Sequence, residues 1–352
     1  MNHQLSLHNP SLQVLDRVRH PKTRAERAHM QFQQRAADAQ DPVRQQGWFR
    51  SMQQVMQEID EMTLCVPAAV PIRFLDLGCC PGGFTSYILD KNPRASGVGI
   101  SLPVEQGGHA CLLDPAVLTS SAADPRHPPR FELIWADLTK YQLGPHYIGP
   151  IPDPSLRPLP PQLAQPHASD DRAAAAQYDL VTIDGHPLRS GDRPGLEYLV
   201  GDRLLVSQLL VGLASAALGG TVVLKLSKPE RLVSAQLMYL LDVLCARVWT
   251  WKPVCMHATR ATFYVVGKGF GLKGRWMLPR IVQELRRLWV ELSYAGSGRH
   301  GRRLVATDLD FIIDESTIQT VYAARWRELS EHIWETQRLA LEGWRQATRQ
   351  GF

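Results

Sequence analysis

A short apolar run, Ile72-Arg-Phe-Leu-Asp-Leu77, stops at Gly78, and Gly82 and Gly83 follow just before Phe84. This feature constrains the fold more than any other in the 352-residue chain. A run bounded by Pro71 and Gly78 reads as a strand buried on both faces, which is the habit of a parallel sheet. Glycine is required where the backbone turns sharply and must approach a neighbour with no Cβ in the way. The stretch from Gly83 to Leu89 then reads as the opening of a helix. Strand, glycine turn and helix in that order form the first half of a βαβ unit, whose turn is a ligand-binding position.

The alternation continues along the chain. Ala95–Ile100, Phe131–Ala136, Tyr178–Ile183, Thr221–Leu226 and Thr262–Val266 read as further strands. Glu197–Leu218 reads as a long amphipathic helix ended by Gly219-Gly220, and residues 230–246 as another helix. Upstream, Trp48, Phe49, Met52, Val55, Met56 and Ile59 approximate one apolar helical face. The pattern predicts an α/β, Rossmann-like fold with a doubly wound, mostly parallel sheet, preceded by an N-terminal helix and followed by a helical extension. Three segments result: a polar N-terminal part over 1–44, the α/β domain over 45–271, and a helical region over 272–352. The prolines at 145, 150, 152, 154, 158, 160, 161 and 166 predict an irregular, mobile surface insertion over 142–177. In the last segment Trp276, Trp289, Trp326, Trp334 and Trp344 read as core anchors rather than stacking platforms. The basic glycine-rich stretch Gly296–Arg303 lacks the Lys-Ser/Thr ending of a phosphate-binding loop and reads as a hinge.

Composition sets wide bounds. Apolar residues at 44% and charged residues at 21% suit a soluble globular protein. A formal charge of +5 is compatible with a polyanionic partner without demanding one. The basic run Arg17, Arg19, Lys22, Arg24, Arg27 reads first as a solvated helix or terminus. The six cysteines form no CxxC pair, which argues against a metal site or a disulfide framework and for reduced, buried thiols. No secretory signal and no membrane-length apolar stretch is evident, so an intracellular, soluble protein is expected.

The glycine spacing narrows the ligand. GxxxGG with Pro81 inserted, and no lysine following, disfavours a pyrophosphate cradle. It suits the amino-acid end of a smaller nucleoside ligand, with Asp76 close by. Asp137 stands just past a predicted strand end, on the edge where such sheets bind ligands, and can accept from an adenine amino group. A structural cap on the next turn is its alternative role. Lys225 interrupts the apolar run Thr-Val-Val-Leu-Lys-Leu, and charged residues are rarely buried unpaired. Asp184 ends its own strand on the same edge and is the natural partner. A turn-initiating aspartate is the plainer reading of Asp184.

DLGCCPGGFTSYIL, FELIWADLT, YDLVTIDGHP and GGTVVLKL together resemble, in order, four motifs of the FtsJ-like family of RNA ribose 2′-O-methyltransferases. The resemblance runs over roughly 45–270 and implies a Rossmann-like methyltransferase using S-adenosylmethionine (SAM) on RNA. It implies Asp76, Gly78, Pro81, Gly82, Gly83, Phe84, Ser101 and Asp137 as cofactor-binding residues. Gly97-Val-Gly-Ile-Ser-Leu102 is closer to the cap-directed enzymes; Ile100 or Ser101 stands where the ribosomal type has an acidic residue for the ribose. The family's Lys-Asp-Lys-Glu tetrad maps its aspartate to Asp184 and its second lysine to Lys225. Its first lysine falls on Arg50 and its glutamate on Thr262. Arginine keeps charge but presents a planar fork and stays protonated, whereas threonine has no carboxylate. Glu230 is a candidate replacement acid. Asp184-Gly-His-Pro187 lacks the Asn/Asp-Pro-Pro-aromatic motif of amino-directed enzymes, which favours a hydroxyl acceptor; His186 invites a base role but reads as an exposed turn histidine. The alternative is a SAM- or RNA-binding protein of this fold that has lost catalysis.

Overall fold

The computed structural model describes residues 10–19, 41–118, 129–144, 155–163, 178–188, 196–296 and 301–349. Helix α1 (Pro10–Arg19) stands apart in sequence from the α/β domain but packs on the last helix. Helix α2 (Pro42–Thr63) starts where Asp41 accepts from Arg44 N at 3.1 Å and Pro42 takes the first turn. Its Val55, Met56 and Ile59 are fully buried, with Phe49 and Met52 packed beside them.

Strand β1 (Arg73–Leu77) leads through the glycine turn into α3 (Gly83–Lys91) and then β2 (Ser96–Ser101). Strands β3 (Phe131–Trp135), β4 (Tyr178–Ile183), β5 (Ala216–Ser227), β6 (Cys245–Trp251) and β7 (Thr262–Phe270) complete a seven-stranded sheet of order β3-β2-β1-β4-β5-β7-β6. The β1, β2, β3, β4 and β5 pairings are parallel, and β7 runs antiparallel between β5 and β6. One face is covered by α2 and α3. The other is covered by α4 (Leu196–Ser215), α5 (Leu232–Leu244), α6 (Leu278–Tyr294) and α7 (Ala323–Arg349). The expected doubly wound α/β sheet with a C-terminal helix is what the chain forms.

Several local expectations change. Helix α4 ends at Ser215, not at the glycine pair; Gly219 and Gly220 lie inside β5, where Gly219 takes φ +81° beside a register shift against β4. Strand β6 follows α5 directly, in sequence that reads as a helix to residue 246. Part of the proline-rich insertion is structured: Gln142 N donates to Arg157 O at 2.8 Å, Arg157 N donates to Lys140 O at 2.9 Å, and Leu143 and Leu163 are buried. Prolines remove donors, but the non-proline residues between them still pair and bury apolar surface. The prolines at 145, 150, 152, 154 and 166 lie outside the described residues.

The described part of the expected hinge is pinned rather than loose. Arg302 is ion-paired with both Glu291 and Asp308, and Arg303 with Asp202. Trp289, Trp326 and Trp334 are fully buried anchors, whereas Trp276 is 83% exposed. Tyr198–Ser215 does reach membrane-span length with mean hydropathy 1.2, contrary to the sequence expectation. Half of that window is buried in the fold, where α4 packs on β4 and α6. Cys65, Cys79 and Cys245 are buried free thiols, Cys80 and Cys111 half-buried, and Cys255 exposed. Of the basic N-terminal run, Lys22, Arg24 and Arg27 lie outside the described residues.

Candidate active site

The strand order reverses between β1 and β4, and the crevice outside their carboxyl ends is where open α/β sheets take ligands. Both turns that leave these strands meet there. Gly78 has φ +86°, and a Cβ on it would lie 2.4 Å from Gly185 Cα, so the glycine turn and the Asp184 turn touch backbone to backbone. Gly78 N donates to Ile100 O at 2.9 Å and Asp184 N to Leu77 O at 3.0 Å, which fixes both turns to the sheet. Gly82 adopts φ +112° at the N-cap of α3, and no side chain caps that helix. Pro81 is buried after a cis Cys80–Pro81 bond, and its carbonyl accepts from Leu112 N at 2.9 Å.

Asp76 lies behind this turn, 1% exposed. Its Oδ1 accepts from Thr182 Oγ1 at 2.6 Å and its Oδ2 from Thr85 Oγ1 at 2.7 Å. Burial pushes its carboxyl up to about 6, against the pull of those two hydroxyls. Asp76 thus braces β1, β4 and α3 beneath the ligand crevice, with both oxygens already engaged. Phe84 faces inward too, buried and 5.8 Å ring to ring from Tyr264, so it belongs to the core rather than to an open cofactor wall. Gly83 packs on α2: a Cβ there would meet Phe49 O at 2.5 Å.

The other residues predicted for the cofactor, Ser101 and Asp137, follow along the same edge of the sheet. Ser101 closes β2, 8% exposed, and its carbonyl accepts from Ala136 N at 2.9 Å. Asp137 is half-buried and caps the next turn, Oδ1 accepting from Thr139 N at 2.9 Å and Thr139 Oγ1 at 2.7 Å. The capping role is therefore real, and Oδ2 has no partner among the described residues. Uncapped amides at the start of α3, glycines without Cβ at the turn and one open carboxylate oxygen at β3 fit the amino-acid carboxylate and adenine ends of a nucleoside ligand.

Across the switch point, Asp184 and Lys225 come together. Lys225 Nζ stands 3.3 Å from Asp184 Oδ1, and it also donates to the Asp184 carbonyl. Lys225 lies opposite Tyr264 in the β5–β7 register, and Tyr264 OH donates to the same Asp184 Oδ1 at 2.8 Å. Burial pushes the Asp184 carboxyl up, and Lys225 and Tyr264 pull it back. Burial and the adjacent carboxylate push the Tyr264 hydroxyl well above its ordinary value, so it remains a donor. Thr262 sits two residues before Tyr264 on β7, its carbonyl accepting from the buried Lys252 Nζ at 2.7 Å. Arg50 lies on the exposed side of α2, outside this hydrogen-bonded set, with no carboxylate partner among the described residues. Glu230 is fully buried and committed elsewhere: it accepts from Arg19 and, at 3.1 Å, from Trp334 Nε1. It is not the missing acid.

Tyr264 is legible in the sequence only as a landmark; its role needs the β5–β7 register. His257 gives no sequence signal at all. It ends a one-turn helix over Val254–His257, lies 6.1 Å ring to ring from Tyr264, and has a buried Nδ1 without a partner among the described residues. Burial first, then Lys225 and its other cationic neighbours, pushes its imidazole well below the usual range, so it is neutral near pH 7. His186 is exposed, as a turn histidine should be. No metal-binding group of side chains occurs among the described residues.

The family model for FtsJ-like methyltransferases matches residues 48–270. The chain belongs to the FtsJ-like methyltransferase family. Its cofactor is accordingly S-adenosylmethionine, and its reaction class is methyl transfer. No curated protein is similar enough in sequence to register as a relative. Among solved structures, a ribosomal RNA methyltransferase from Plasmodium falciparum shares 17% identity at TM-score 0.38, covering 62% of this chain and 96% of that one. Human methyltransferase-like protein 13 with S-adenosylhomocysteine shares 11% identity at TM-score 0.36, covering 66% and 92%. A Burkholderia thailandensis N1-methyltransferase of 1,6-didemethyltoxoflavin shares 11% at TM-score 0.35, covering 71% and 92%.

Proposed function

We propose that this FtsJ-like protein methylates the ribose 2′-hydroxyl of an RNA. The observation that carries the reading is the Lys225–Asp184–Tyr264 set at the switch point of the sheet. SAM would be held in the crevice by Gly78, Ser101 and Asp137 and would supply an electrophilic methyl group. Lys225 Nζ would orient the acceptor oxygen and take up the proton that the hydroxyl gives up in exchange for the methyl group. Asp184 balances the ammonium that results, and Tyr264 holds Asp184 in place by donating to it. Positioning of this kind supplies most of the acceleration in a displacement that needs only alignment and one proton acceptor. The turn Asp184-Gly-His-Pro187 offers no motif for an amino acceptor, which leaves the hydroxyl as the better match.

A second reading rests on Arg50 and Thr262. With the first lysine replaced by an exposed arginine and the glutamate by threonine, the protein binds cofactor or RNA without transferring methyl. Incubation with methyl-labelled SAM and a pool of RNA, followed by digestion to nucleosides, separates the two. Label in 2′-O-methylribonucleosides, and none when the acceptor is the matching 2′-deoxy strand, is the expected result. Label on a base nitrogen overturns the hydroxyl assignment, and cofactor binding without any transfer establishes the second reading.

A further inference from the structure

The family match ends at residue 270, yet residues 303–306 share in lining the cavity beside Lys225. This cavity measures about 350 Å³ and runs from Lys225 and His186 to Arg231 and Arg303. Three features give it a cationic character. Arg231 lines it with a buried Nε that has no partner and stands in no ion pair among the described residues. Its neighbouring carboxylates hydrogen-bond elsewhere, Glu230 with Arg19 and Trp334 and Asp202 Oδ2 with Arg303. Arg303 is 44% exposed at its side chain, held by Asp202 through Nε alone and laid over the Tyr198 ring at 4.6 Å, so the rest of its fork is open. Finally, Leu232, Val233 and Ser234, the first turn of the thirteen-residue α5, line the same cavity, and no side chain caps that helix. Amides at such an end carry partial positive charge that favours an anion. Asp202 also lines the cavity and is the one carboxylate there; its Oδ2 accepts from Arg303 Nε and from Leu304 N at 2.9 Å.

We propose that this cavity is a phosphate subsite of the acceptor strand, where Arg231, Arg303 and the first amides of α5 hold a backbone phosphodiester beside the ribose presented to Lys225. The inference rests on the RNA reading above. It also accounts for the helical C-terminal region, whose segment 303–306 completes the acceptor groove that the family domain leaves open. A phosphate oxygen there would give the buried Arg231 Nε the hydrogen-bond partner it lacks among the described residues.

The test uses the full chain saturated with S-adenosylhomocysteine and a fluorescein-labelled single-stranded polyuridylate, titrated by anisotropy over a range of salt. Arg231→Ala and Arg303→Ala are each expected to weaken binding roughly five- to tenfold and to make the salt dependence shallower by about one ion. Val305→Glu, at a half-exposed cavity residue away from any proton-transfer role, is expected to weaken it as well. Calorimetry of S-adenosylhomocysteine on each variant reports whether the fold and cofactor site are intact. Wild-type affinity and salt dependence in all three variants, with cofactor binding retained, overturn the subsite and leave the methyltransferase reading standing. Failure of the wild-type protein to bind polyuridylate while binding cofactor overturns the RNA reading on which the subsite rests.

Discussion

At the scale of single residues, the site is built on carboxylates with different roles. Asp184 follows β4 and is tied to Lys225 and Tyr264. Asp76 is sealed beneath the glycine turn with a threonine hydroxyl on each oxygen. Its carboxyl sits at about 6 in the fold against an ordinary 3.8, so the folded state holds the proton more tightly than the unfolded chain. That contribution to stability is complete below the ordinary value and is lost as pH rises through about 6. Wild type should therefore lose roughly 1 kcal/mol relative to Asp76→Asn between about pH 5 and pH 7. Denaturant unfolding of both proteins across that range measures it, and a constant difference would show that Asp76 does not titrate there. The pairing of Asp184 with Lys225 is readable from the sequence because a lysine inside an apolar strand demands a partner. The threonines that brace Asp76, and His257 beside Tyr264, are not. They come from separate elements, and nothing in their spacing announces that they meet.

At the scale of elements, the glycine turn is the most legible part of the chain. Its glycines carry distinct burdens: Gly78 a positive φ and a backbone contact, Gly82 the N-cap of α3, and Gly83 the approach of α2. Gly83 separates propensity from packing. Alanine in its place gains helix propensity of up to about 1 kcal/mol. Its Cβ would stand 2.6 Å from Met52 Cβ and 2.8 Å from Gln53 N, forcing α2 outward at about 1–3 kcal/mol. Gly83→Ala should thus lower stability in denaturant unfolding and weaken cofactor binding; an unchanged or higher midpoint would contradict the close approach. Element boundaries are the hardest to read. No glycine or proline separates α5 from β6, and apolar residues run through both, so periodicity alone does not find the switch at Cys245. The glycine pair after α4 misleads for the opposite reason. It looks like a helix stop but serves as an irregularity inside β5.

At the scale of the molecule, the N- and C-terminal helices hold the loops around the site. Trp326 Nε1 donates to Pro229 O at 3.1 Å and Gln337 Nε2 to Thr259 O at 3.2 Å. Arg19 joins Glu230 and Gln337 in one buried network, so α1 and α7 clamp the loop after β5. Such links between distant segments are invisible to local sequence patterns, which is why the C-terminal region reads only as helical. They also tie down the loop that follows the strand carrying Lys225. On the proposed function, Lys225 and Asp184 act as one unit. The most direct measurement is the rate of methyl transfer from SAM to RNA, at saturating cofactor, for wild type, Lys225→Met, Asp184→Asn and the double variant. Each single substitution should cut the rate on the order of a hundredfold or more, and the double variant should be little slower than either, because residues acting together are not additive. Single variants that transfer methyl at the wild-type rate, with cofactor binding intact, would contradict the account.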